Sequence, residues 1–220
     1  MVLMHLFLDK IGMTIKKTGY NEARATQISK VEDIDFSATY SYAHYLSWLF
    51  EDRVELIKGK VFRMGAPSRM HQLVLLNVAR IFADFLDHHP CEIYIAPFDV
   101  RFPTSHKADE AVFTVLQPDL CVICDTGKLD DRGCLGAPDL IVEVISPGNS
   151  QHELFKKYKV YEEFGVREYW IVDFKTKTLL VYLLDQEGKF VLSQSLNADQ
   201  EVHSPTLIGL NLHLKNIFTN

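Results

Sequence analysis

The run Leu140-Ile141-Val142-Glu143-Val144-Ile145 constrains this chain more than any other segment. It has the length and β-branched content of a buried strand. An ionised carboxylate inside such a strand is costly unless a metal ion, a lysine or a tight hydrogen-bond network compensates it. Glu143 is therefore the first candidate for chemistry. The alternative is a Glu at a strand end, or one paired with a structural Arg.

With 220 residues, 47% of them hydrophobic and 24% charged, the chain is long enough to bury a core within one globular domain. Residues 1–38 lack strong periodicity and read as an N-terminal extension, leaving 39–220 as the domain. The formal net charge of -6 argues against a protein that coats nucleic acid non-specifically. It leaves room for a local basic cleft around an acidic, metal-binding centre. The apolar start, Met1 to Lys10, has no basic region before it and no small-residue cleavage site after it. It fits neither a signal peptide nor a membrane span, so the expectation is a soluble, cytoplasmic protein.

Cys121 and Cys124 form a C-x-x-C, but they lie in strand-like sequence, where residues three apart face opposite ways. No second C-x-x-C exists to complete a zinc site. Together with Cys91 and Cys134 they are expected to be buried, reduced thiols.

Helical spacing runs from Thr39 to Leu49. Arg53–Ile57 and Lys60–Met64 read as strands joined by a Lys58-Gly59 hairpin turn. Ser68 is the expected N-cap of a long helix ending at Leu86, with Leu73, Leu76, Val78, Ile81, Phe82 and Phe85 as its apolar stripe. Ile93–Phe102 is one bent strand or a pair of strands, with Pro97 at an edge or bulge. Val112–Leu116 and Asp119–Cys124 are strand material. After Leu140–Ile145 come a turn at Ser146–Ser150 and a helix from Gln151 to Phe164, stopped by Gly165. Glu168–Asp173, Thr178–Leu184 and Phe190–Ser193 follow as strands. The layout is α/β or α+β, a mixed β-sheet flanked by helices.

Asp119 opens one strand and Glu143 lies inside the next, so pairing of those strands would bring both carboxylates to one end of a sheet. A divalent cation would relieve their repulsion, and oxygen ligands suit Mg²⁺ or Mn²⁺. A structural turn is the competing role for Asp119. Lys157 and Tyr161 are four apart on one helix face, where the lysine could stabilise charge developing on a phosphate. Glu55, between Val54 and Leu56, is either a third metal ligand, a group that orients one, or the solvent side of an alternating strand. His71 and Gln117 are candidates for substrate contact, and Arg63, Arg69 and Lys107 for holding an anionic substrate. There is no P-loop and no G-x-G-x-x-G, hence no nucleotide-cofactor motif.

Taken together, Pro118-Asp119-Leu120, the stretch Gly136 to Pro147, Lys157-x-x-x-Tyr161 and Gly165-Val-x-Glu168-Tyr-Trp-Ile-Val-Asp173 resemble the Uma-type restriction endonuclease family of the PD-(D/E)XK nuclease superfamily. Val54-Glu55-Leu56-Ile57, Ala66-Pro67-Ser68-x-x-His71 and Ala96-Pro97-x-Asp99 extend the match to roughly residues 39–217. The resemblance implies a restriction-endonuclease-like core and metal-dependent hydrolysis of DNA. Mg²⁺ or Mn²⁺ would be held by Asp119, Glu143 and the backbone near Val144. The superfamily's E-x-K lysine is replaced here by Ile145, and the family's displaced lysine maps onto Lys157. The resemblance also implies pairing into a homodimer. A nuclease fold used only for binding or assembly is the alternative.

Overall fold

A computed structural model describes residues 28–145 and 151–219. Met1–Lys10, most of the expected extension, and the Ser146–Ser150 turn lie outside the described residues. Local chemistry explains the first elements. Ser41 and His44 close a capping box on the short helix α1 (Tyr42–Leu46). Lys58 and Gly59 both take positive φ, as a two-residue hairpin turn demands, and join β1 (Val54–Ile57) to β2 (Lys60–Arg63). The Ser68 hydroxyl accepts the His71 N–H and starts α2 (Arg69–Leu86). The residues α2 buries are His71, Val74, Leu75, Val78, Phe82 and Leu86. The expected stripe is therefore rotated: Val78 and Phe82 hold, whereas Leu76 is 55% exposed. The helix carries apolar residues on more than one face, and only the sheet selects which face packs.

The remaining strands are β3 (Glu92–Ile95), β4 (Val100–Arg101), β5 (Val115–Leu116), β6 (Leu120–Ile123), β7 (Leu129–Asp130), β8 (Gly133–Leu135) and β9 (Leu140–Ile145). Helix α3 (Gln151–Phe164) then leads to β10 (Glu168–Asp173), β11 (Thr178–Leu184), β12 (Phe190–Asn197), β13 (Glu201–His203) and β14 (Asn211–His213). The segment expected to be one strand or a pair at 93–102 is split between two sheets. A cis peptide precedes Pro97, β3 stays in one sheet and β4 enters the other.

The central sheet runs β12-β11-β10-β9-β6-β3. Only β9 and β10 are parallel in it, and α3 supplies the crossover between them. On one face Leu120, Val122, Leu140, Val142, Val144 and Trp170 pack against α2 and the C-terminal segment. On the other, Cys121, Ile141, Tyr169 and Ile171 pack against α3 and the second sheet, ordered β2-β1-β5-β4-β8-β7. Strand β9 is thus covered on both sides, which accounts for its nearly unbroken apolar sequence. Val31 and Ile34, from the region expected to be extension, are buried with Tyr40, Tyr42 and Leu56 in a third cluster.

The expectation of reduced cysteines is corrected for one pair. The antiparallel register of β3 and β6 sets Glu92 opposite Ile123, and one step further Cys91 is disulfide-bonded to Cys124. Cys121 and Cys134 are free and buried. The C-x-x-C spacing concealed this pairing because the true partner is 33 residues away.

Glu168 ties the C-terminal segment to the central sheet. Fully buried, it accepts hydrogen bonds from Trp170 Nε1 at 2.6 Å, Ser204 Oγ at 2.8 Å and the Thr206 N–H at 3.0 Å. Glu168→Ala strands these donors in the core and is expected to lower stability by about 3 kcal/mol or more, measured by urea denaturation. A loss under about 1 kcal/mol would mean that the segment is held by its apolar contacts alone.

Candidate active site

Register brings the two acidic residues together. Strands β6 and β9 are antiparallel neighbours with Leu120 opposite Val142, so Asp119, one step before β6, stands opposite Glu143. Directly opposed residues of an antiparallel pair lie on the same face. That face is the one covered by α3, whose Lys157 and Tyr161 point back at Glu143. Lys157 Nζ lies 3.0 Å from Glu143 Oε1 and 3.0 Å from Glu55 Oε1, and the Tyr161 hydroxyl donates to the same Glu143 oxygen at 2.7 Å. The four-residue spacing on one helix face produces this double grip.

Glu55 enters from β1 of the second sheet and is buried, not on a solvent face. It also accepts the Gln117 N–H at 2.8 Å. Asp119 Oδ2 accepts the Val144 N–H at 2.8 Å and lies 3.1 Å from His71 Nε2. Asp119, Glu143, Glu55, Lys157 and His71 together line a cavity of about 210 Å³.

Burial pushes the Glu143 carboxyl up to about 7, and the nearby Asp119 and Glu55 charges add to that effect against the opposing pull of Lys157. Burial works against the Lys157 ammonium, yet Glu143, Glu55 and Asp119 overcome it and hold its pKa well above the ordinary lysine value. His71 is likewise opposed by burial, but its hydrogen bond to Asp119 and the Asp119 and Glu143 charges leave its pKa raised.

Arg53 and Arg63 also line the cavity, and Lys156 lies over the Phe62 ring at 4.1 Å in its wall. Arg69 and Lys107, expected beside them, are exposed and are not among the lining residues. Gln117 is buried, and its side chain is fully engaged. Its carbonyl oxygen accepts from Arg53 at 2.9 Å, and its amide donates to Asp99 at 2.9 Å and Tyr45 at 3.3 Å. Sequence reasoning did not single out Arg53. The one signal for it was a basic residue two positions before Glu55 on the same strand face.

The donor set suits a hard divalent cation. Asp119, Glu143 and Glu55 outnumber the Lys157 ammonium, and a divalent cation would offset part of that acidic excess. Among the described residues no three His, Cys, Asp or Glu side chains stand as a ready ligand set, and the carboxylates are engaged with Lys157, Tyr161, His71 and the Gln117 and Val144 N–H groups. The fit therefore rests on donor chemistry and charge. Among the described residues no helix is long and apolar enough to cross a membrane.

A family model described as "Putative restriction endonuclease", Uma2, matches residues 42–215. A crystal structure from Anabaena variabilis, described as "a putative nuclease belonging to DUF820", superposes with a TM-score of 0.65 at 20% identity, covering 81% of this chain and 97% of that one. That likeness establishes the shared fold. The uncharacterized protein slr1290 of Synechocystis is 23% identical over 151 residues, which span 67% of this chain and 76% of that protein.

Proposed function

We propose that this chain, which belongs to the Uma2 family, is a metal-dependent nuclease that hydrolyses DNA phosphodiester bonds at the Asp119–Glu143 cavity. One observation carries the reading: two carboxylates from adjacent strands lie at a cavity floor, with a buried lysine bridging Glu143 and Glu55 at 3.0 Å to each. Mg²⁺ or Mn²⁺ would be held by Asp119, Glu143 and the Val144 carbonyl. Such a cation supplies Lewis acidity toward a phosphate oxygen and lowers the pKa of water.

The chain's own residues do the rest. In hydrolysis the water oxygen bonds to phosphorus, one P–O ester bond breaks, and the departing alkoxide takes a proton. Negative charge grows on the phosphoryl oxygens, and the Lys157 ammonium is pre-set to offset it in a site shielded from water. Tyr161 and Lys157 fix the orientation of Glu143, and Glu55 fixes Lys157. Arg53, Arg63 and Lys156 supply the positive charge that an overall acidic protein needs against a polyanion.

The test is cleavage of supercoiled plasmid and single-stranded DNA with Mg²⁺ or Mn²⁺, each with an EDTA control. Nicking that requires the cation is expected, and no cleavage of any DNA form under either cation would overturn the reading. Cation binding without cleavage would instead favour a nuclease fold used as a binding module. The observation that favours this second reading is the full engagement of Glu143 Oε1 by Lys157 and Tyr161. Sedimentation of the protein on duplex DNA would test the further proposal that two copies pair to cut both strands.

A further inference from the structure

The expected role of Gln117 was contact with substrate, and its place in the network gives it a different task. Its side-chain oxygen accepts from Arg53 Nε at 3.1 Å and from Arg53 Nη2 at 2.9 Å. Its amide nitrogen donates to Asp99 Oδ1 at 2.9 Å and to the Tyr45 hydroxyl at 3.3 Å. A carboxylate only accepts, so Asp99 fixes which end of the amide faces the guanidinium. Gln117 also reaches the floor of the site, since its backbone N–H donates to Glu55 Oε1 at 2.8 Å. One buried residue therefore sets both the side-on edge of Arg53 and the carboxylate that holds Lys157.

A guanidinium carries N–H donors along two usable edges, and Gln117 occupies the one made by Nε and Nη2. The end-on edge, made by Nη1 and the other N–H of Nη2, has no hydrogen-bond partner among the described residues, and Arg53 lines the cavity. Arg53 forms no ion pair among the described residues, and Glu55, Glu143 and Asp119 pair instead with Lys157 and His71. The group that aims Arg53 is neutral, so the whole charge stays available to a ligand. The other cations of the wall are held differently: Arg63 is paired with Glu32 at 3.0 Å, and Lys156 lies over the Phe62 ring. We infer that the end-on edge of Arg53 is a phosphate clamp, gripping two oxygens of a DNA backbone phosphate that flanks the one being cleaved, with Gln117 as its positioning residue. Parallel N–H donors match a pair of phosphate oxygens, and a fixed guanidinium loses little freedom on binding. The flanking place follows from the lack of any ion pair between Arg53 and the floor carboxylates. This deepens the nuclease reading and rests on its assignment of a DNA strand to this cavity. It narrows the substrate to strands with consecutive phosphates, as opposed to an isolated phosphodiester.

The test uses the full chain and a fluorescein-labelled single-stranded oligonucleotide, with EDTA present to prevent cleavage and anisotropy followed across a KCl series. Arg53→Gln is expected to weaken binding by about tenfold and to flatten the slope of log K against log salt by about 0.7. Arg53→Lys keeps the charge and loses the fork, so it should keep the slope yet bind about threefold or more weaker. Gln117→Met should behave likewise, since the charge remains and only its aim is lost. Both Arg53 variants alter a half-buried position and carry the test even where Gln117→Met folds poorly. With Mg²⁺ or Mn²⁺, single-turnover cleavage by saturating Arg53→Gln should stay within about threefold of wild type, because a flanking phosphate is held alike before and during the reaction. Wild-type affinity and slope in Arg53→Gln, or wild-type affinity in Arg53→Lys, would overturn the inference and leave the nuclease reading intact. A saturated rate lowered by about a hundredfold or more in Arg53→Gln would do the same. Absence of oligonucleotide binding by the wild type would also overturn the clamp, with the nuclease reading judged by its own cleavage assay. Variants that bind as expected, in a protein that cuts no DNA under either cation, would overturn the nuclease reading and leave the clamp standing.

Discussion

Asp119→Asn and Glu143→Gln are each expected to lower cation-dependent DNA cleavage by on the order of 10³-fold or more, measured under single-turnover conditions. Both substitutions keep side-chain size and remove a charge, so shape is preserved while the acidic oxygens that attract a cation are weakened. Glu143→Gln should be mild for folding. The amide oxygen still accepts from Lys157 and Tyr161, and the carboxyl that burial pushes up to about 7 is replaced by a neutral group. Asp119→Asn keeps one oxygen for the Val144 N–H at 2.8 Å. The double variant should lose little more than either single one, since groups that act as a unit are not additive. Cleavage within about tenfold of wild type in both single variants would remove these carboxylates from the reaction.

Lys157→Met is expected to cost about 3–5 kcal/mol of folding stability and to abolish cleavage as well. The methionine fills most of the space but leaves Glu143 and Glu55 buried without the ammonium that stands 3.0 Å from each. The two effects separate in a rescue. Adding Glu143→Gln to Lys157→Met removes one stranded charge and should restore a large part of the stability while leaving the protein inactive. Mn²⁺ should raise the melting temperature of Lys157→Met more than that of wild type, because the cation then offsets the charge left by the missing ammonium. A Lys157→Met loss below about 1 kcal/mol would show that the ammonium does not compensate the buried acids.

The parts legible in the sequence were those whose cause is local. A lone charge among β-branched residues marked Glu143, a four-residue spacing joined Lys157 to Tyr161, and Ser68 and Lys58-Gly59 announced a helix start and a hairpin. The α+β layout with a mixed sheet followed from the same signals. What stayed hidden depends on distant pairings. Glu55 comes to Lys157 only because β1 and β9 belong to two different sheets that share a core. Gln117 orders Arg53 across 64 residues, and Cys91 finds Cys124 through a strand register that no spacing rule encodes. The packed face of α2 was misread for a related reason: amphipathicity narrows the choice of face, and the partner layer makes it.

In this chain the amine of the site rides on a helix, while both strand carboxylates sit in a fixed ladder. Successive residues of a helix are separated by about 100° around its axis. One residue inserted just ahead of Lys157 would swing its Nζ, and Tyr161 with it, away from Glu143 without disturbing a single hydrogen bond between β6 and β9. Evolution or design can therefore retune or silence the cationic half of this centre by rotating one screw, with the acidic half left standing.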